Sequence, residues 1–203
     1  MVQCVRRERE KPVSSSCRRG PEPVLASLRR STGALHRRIE ERFDAVAELA
    51  DPSSRAATIG RYATFYATAH AQLAAVLETV EGLDFRRRSL AWAPIRSLAR
   101  GGEARRDMPE PEDRCEALGR LYVVEGSTLG GRLILRDLRA RGIADPGLSF
   151  LDPYGAAAGQ VWRSLLAVLE REGSRGPGCL ESMCRGAMQG FVHAERILCG
   201  DAR

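Results

Sequence analysis

One histidine in this chain has the neighbours that a metal-binding imidazole needs. His36 stands at the edge of an apolar stripe, with Glu40 four residues on and Arg29 seven residues back. At helical spacing, Arg29, Thr32, His36 and Glu40 therefore form a row along one edge. A neutral imidazole that binds iron through one nitrogen needs its other N–H anchored, and a carboxylate one turn away serves, directly or through water. The other two histidines lack this arrangement. His70 has Tyr66, Ala67, Leu73 and Ala74 at the positions three and four residues away, and His193 adjoins an apolar face. Both read as packing or surface residues.

A second stretch, LYVVEGSTLGGRLILRDL from Leu121 to Leu138, is apolar enough for a buried helix yet contains Gly126, Gly130 and Gly131. A glycine in a helix interior costs about 1 kcal/mol relative to alanine, so three cost roughly 2–3 kcal/mol unless something is gained. What a missing Cβ allows is close approach. Gly126 and Gly130 share one face, and another backbone or a flat object can lie directly on it. Ser127 and Thr128 between them either offer hydroxyls to that object or bond back to helix carbonyls. One occupant is a neighbouring helix packed through small residues. The other is a flat iron macrocycle lying between this stretch and His36, which accounts for both features together. The imidazole then binds iron from one side, the glycine face crowds the other while leaving room for a small gas, and Arg29 meets carboxylate side groups.

The elements that must position these residues are all helical. Leu25, Leu28, Thr32, Leu35, Ile39 and Phe43 recur at three- and four-residue steps, which predicts a first helix over 24–43 with that stripe inward. Asp51-Pro52 caps and starts a second helix to about residue 80. A third, over 86–99, holds Trp92 in a core contact and ends at Gly101-Gly102. The glycine-bearing stretch lies in a long central helix over 112–141, buried against the first helix. Asp145-Pro146-Gly147 forms a turn, Asp152-Pro153 caps a fifth helix, and a sixth runs over 178–199. No segment alternates in the way a strand does, so the expected class is all-α, about six helices around one core.

At 203 residues and 43% hydrophobic content, the chain suits a single helical domain over 23–203. Residues 1–22, with mixed charges and a triple serine, read as a disordered basic tail, a solvated extension rather than a nucleic-acid arm. The formal net charge of +6 comes almost wholly from arginine, since Lys11 is the single lysine, and it favours an anionic ligand or partner. Six cysteines without a C-x-x-C pair suggest reduced thiols. With no apolar run of membrane-spanning length and no secretory core, a cytoplasmic protein away from the membrane is expected.

The segments LRRSTGALHRRIE at 28–40 and LYVVEGSTLGGRLI at 121–134 resemble the heme oxygenases, especially the bacterial branch found beside phytochromes. The order and separation of the two segments fit that family over residues 24–199. The resemblance implies a heme-oxygenase-like fold, with heme sandwiched between a proximal and a glycine-kinked distal helix. It implies His36 as axial iron ligand, Glu40 as its hydrogen-bonded anchor, and Arg29 and Tyr122 at the heme propionates. Gly126, Ser127, Gly130 and Gly131 would line the distal face. The implied reaction opens heme to biliverdin, carbon monoxide and ferrous iron, with O2 and electrons from an external reductase or ferredoxin, and a phytochrome is a candidate biliverdin acceptor. Ser127 departs from the animal branch, which has an aspartate there to organise water; some bacterial members also lack it. A heme or bilin carrier on the same fold is the alternative. A carboxylate-bridged di-iron site is disfavoured, because Gly33, Ala67 and Gly190 stand three residues before His36, His70 and His193, where such sites place glutamate.

Overall fold

A computed structural model describes residues 23–99, 108–143 and 146–200. These form eight α-helices and two short 3-10 segments, with no strand among the described residues, so the all-α expectation is met. The helices are α1 (Val24–Arg42), α2 (Ala45–Ala50), α3 (Pro52–Leu77), α4 (Phe85–Ala91), α5 (Ala93–Arg96), α6 (Arg114–Ala140), α7 (Ala158–Gly173) and α8 (Pro177–Cys199). The expected tail at 1–22 and the Gly101-Gly102 stop lie outside the described residues, as does Asp145 of the expected turn.

Several helix starts follow from local chemistry. The Asp51 carboxylate accepts from the Ser53 N–H at 2.9 Å with Pro52 in the first turn, and the Asp113 carboxylate accepts from the Glu116 N–H at 2.8 Å. Asp44 caps α2 in the same way, by accepting from the Ala47 N–H at 2.9 Å, and this one-turn helix was not expected. The helix expected over 86–99 is split at the fully buried Trp92 into α4 and α5. Pro94 sits in the first turn of α5, where its missing N–H has no intrahelical acceptor to lose. The fifth helix starts at Ala158 instead of Asp152-Pro153. Asp152 pairs with Arg132 at 3.4 Å, and the chain before α7 forms 3-10 turns over Pro146–Leu151 and Gly155–Ala157.

The central helix α6 is not buried against α1. It packs chiefly along α8, with further contacts to α3 and α7, and α1 also packs on α8. Two glycines bring the α6 and α8 backbones together. A Cβ on Gly119 would lie 1.9 Å from the Met183 carbonyl oxygen, and one on Gly186 would lie 2.0 Å from that of Glu116. Beside this crossing, the buried Arg120 pairs with Glu116 at 2.5 Å and donates to Gln72 at 3.0 Å and Gln189 at 2.8 Å. A charge taken out of water is tolerated only when paired and hydrogen-bonded in this way. A disulfide joins Cys115 to Cys179 at the same end, with Cα atoms 5.4 Å apart. The expectation of reduced thiols thus fails for this pair, because residues far apart in sequence meet only where α6 and α8 start together. Cys184 and Cys199 are free.

Because α1 and α6 lean on α8 and not on each other, a slot separates them. The stripe of α1 reflects this: Leu28, Thr32 and Phe43 are buried, whereas Leu25, Leu35 and Ile39 are only partly covered. None of the described helices is long and apolar enough to cross a membrane. Gly119→Ala should destabilise the protein by about 2–3 kcal/mol in chemical denaturation, since the backbone carbonyl of Met183 cannot yield as a side chain would.

Candidate functional site

The slot between α1 and α6 is a cavity of about 320 Å3, closed by α8 and by parts of α2, α3 and α7. That volume is at the lower end of the usual range for small-molecule sites. All eight residues singled out from the sequence, Arg29, His36, Glu40, Tyr122, Gly126, Ser127, Gly130 and Gly131, line it.

His36 forms part of the α1 wall, with a side chain 57% exposed at the mouth of the slot. Its Nδ1 lies 3.2 Å from a Glu40 carboxylate oxygen, so Nε2 is the nitrogen left for a ligand. The ring edge meets Phe191 of α8 with centroids 5.6 Å apart and planes at 72°. Neither other histidine lines the slot. His70 stacks near Phe85 at 6.4 Å, and buried His193 stacks near Phe65 at 6.3 Å.

On the α6 wall the three glycines divide by purpose. A Cβ at Gly126 or Gly130 would meet no atom within 4 Å, so helix packing does not account for either. At Gly131 the added carbon would come 2.4 Å from the Leu151 carbonyl oxygen. Its missing side chain serves the fit of the 3-10 segment, although its backbone borders the slot. Ser127 donates to the Val124 carbonyl at 2.7 Å, which leaves its oxygen to accept from the Tyr66 hydroxyl at 3.1 Å. Burial pushes the Tyr66 phenol well above its ordinary range. Tyr66 counted in the sequence only as one residue of an apolar stripe; no local signal distinguishes a buried tyrosine whose hydroxyl reaches a site on another helix. Thr128 is buried and donates to the Glu125 carbonyl at 2.7 Å, so it takes no part in the slot.

The two ends of the cavity differ in polarity. At one end Tyr122 of α6 lies near Thr32 and Arg29 of α1, while its ring is 5.8 Å from Trp162. Burial raises the Tyr122 phenol above its ordinary value, and the Arg29 cation opposes that shift. Towards the other end Phe43 and Tyr62 pack with centroids 6.2 Å apart, and the Arg61 guanidinium covers the Phe43 ring from 5.1 Å. Behind the α6 wall, Glu125 is fixed by Arg88 at 3.1 Å and by the Tyr154 hydroxyl at 2.7 Å. Burial holds the Glu125 carboxyl above its usual value, and the Arg88 charge works against it.

An anchored imidazole on one wall, a side-chain-free patch on the other and a cation at one end suit a flat, acidic, metal-bearing ligand. Comparison with curated proteins finds a relative named heme oxygenase from Xanthomonas campestris pv. campestris (strain 8004). It is 36% identical over 98 residues, which cover 47% of this chain and 57% of the relative, so the chain spans a little over half of that protein's length. This similarity supports the heme oxygenase family. No family model matches the chain, and no solved structure does.

Alanine at Gly126 or Gly130 should leave the ligand-free protein as stable as before or more stable by about 0.5–1 kcal/mol, because helix propensity improves with no clash. Denaturant melts beside Gly119→Ala, which should move the opposite way, check both assignments.

Proposed function

We propose that this protein is a heme oxygenase of the bacterial, phytochrome-associated kind, which opens heme to biliverdin, carbon monoxide and ferrous iron using O2 and electrons from an external donor. The observation that carries the reading is that the His36–Glu40 pair and the bare Gly126–Gly130 face border one slot. Heme is the substrate, and its iron supplies the oxygen-activating chemistry.

The chain's own residues bind, orient and hold protons. Glu40 keeps the Nδ1 proton of His36 engaged, so the Nε2 lone pair is directed by a fixed tautomer. Arg29 and Tyr122, both lining one end of the slot, would hold the propionates there in charge-assisted hydrogen bonds. The side-chain-free face at Gly126 and Gly130 would let the macrocycle lie close to the α6 backbone, with room on that side for a small gas. Gly131 completes that wall while seating Leu151. Ser127 brings a hydroxyl linked to Tyr66 where the animal branch has a carboxylate, and this pair of hydroxyls could accept hydrogen bonds from a water beside the bound ligand. The excess of arginine suits an acidic ferredoxin or flavoprotein as donor, and a phytochrome as acceptor of biliverdin in the cytoplasm.

Loading the protein with heme and recording its absorption before and after ascorbate or a ferredoxin system tests the reading. Loss of the Soret band with growth of a bilin spectrum is expected. A stable heme complex under reductant would instead make the protein a heme or bilin carrier, and no heme binding would end both readings. His36→Ala should abolish the histidine-ligated ferric spectrum and turnover, with recovery on adding imidazole. Glu40→Ala should weaken heme binding roughly 10–100-fold, as loss of a ligand's anchor does. Gly130→Leu should block heme binding while helicity by circular dichroism stays intact.

A further inference from the structure

The half of α1 that carries His36 is held with little burial. The buried residues of this helix are Val24, Ser27, Leu28 and Thr32, all in its first half. From residue 33 to residue 42 no side chain is buried, and Phe43 just beyond the helix is the next that is. This half of α1, which borders the slot through His36, Ile39 and Glu40, has little apolar burial to hold it on α8, so a polar contact there carries more weight.

That contact is Glu195. Its side chain is 8% exposed, and it accepts from Arg38 Nε at 2.7 and 2.9 Å, from Arg38 Nη2, and from Arg42 Nη1 at 2.5 Å. One carboxylate of α8 thus binds two consecutive turns of α1 on either side of Glu40. One turn earlier on α8, Phe191 meets the His36 ring. The burial is asymmetric: Arg38 and Arg42 are 51% and 35% exposed. Exposed ion pairs contribute little, whereas a carboxylate out of water and held by two guanidinium groups has defined geometry.

We propose that Glu195 is a positioning residue for His36, acting through Arg38 and Arg42 to fix the second half of α1 against α8. It sets the width of the slot at the imidazole; its bearing on iron rests on the heme reading above. Glu195 itself does not line the slot.

The asymmetry makes the role separable from general stability. Glu195→Ala lets both arginines turn to water and leaves no buried charge, so the fold should survive, whereas removing both arginines strands a buried carboxylate. In the ligand-free protein, amide hydrogen exchange of residues 34–42 should accelerate by about tenfold or more in Glu195→Ala, with α6 unchanged. After heme loading, the iron–histidine stretching band in resonance Raman should shift and broaden, and the heme dissociation constant should rise roughly tenfold. Glu195→Gln, which keeps hydrogen bonding but not charge, should fall between. If Glu195→Ala fails to fold, Arg38→Ala, which leaves Arg42 on the carboxylate, should show the same shifts at smaller size. Unchanged exchange in α1, or an unchanged iron–histidine band, would overturn the proposal. An unsubstituted protein that forms no histidine-ligated heme complex would sink the heme reading instead, and the exchange measurement would still decide whether Glu195 fixes α1.

Discussion

The backbone contact between α6 and α8 at Gly119 and Gly186 is the constraint from which the rest of the arrangement follows. No side chain fits between the two helices at that crossing, since an added Cβ at either glycine would fall within about 2 Å of a carbonyl oxygen. The long central helix is thereby seated directly on the last one, and α8 packs against α1, α3 and α7 with its other faces. Two walls carried by a common support, and not pressed against each other, leave the slot.

That distribution explains where charge is buried. Glu116 with Arg120 lies at the crossing, and Glu125 with Arg88 lies behind the α6 wall. Each pair is hydrogen-bonded to further groups, such as Gln72, Gln189 and Tyr154, as groups removed from water must be. Apolar residues of the same volume would fill those positions without directional preference. The ionic pairs are directional, and both are satisfied with α6 turned so that its glycine face borders the slot.

Much of the fold was legible in the sequence because helical periodicity and capping are local. The first, second, central and last helices start and end within a few residues of their expected bounds. Departures arose where local rules compete: Trp92 and Pro94 split one expected helix, and Asp152 turned to Arg132 instead of capping another. The packing partner of α6 is illegible in the sequence for a different reason. Gly119 and Gly186 lie in different helices, and a crossing formed by one small residue from each leaves no pattern in either segment. Histidine with glutamate at four residues' spacing, and glycines four apart, were readable because each pair is complete within one helix. Tyr66, Glu195 and the Cys115–Cys179 bond join distant segments and were not.

The disulfide has a consequence for the unfolded chain. Cys115 and Cys179 are 64 positions apart, so the covalent loop contains nearly all of α6 and the whole of α7. Closing a loop of that length removes denatured-state entropy worth about 4 kcal/mol on a chain-statistics basis. An oxidised molecule that loses its tertiary structure still keeps the first turns of α6 and α8 tethered. Refolding of that oxidised molecule starts with the two segments of the glycine crossing already held near each other.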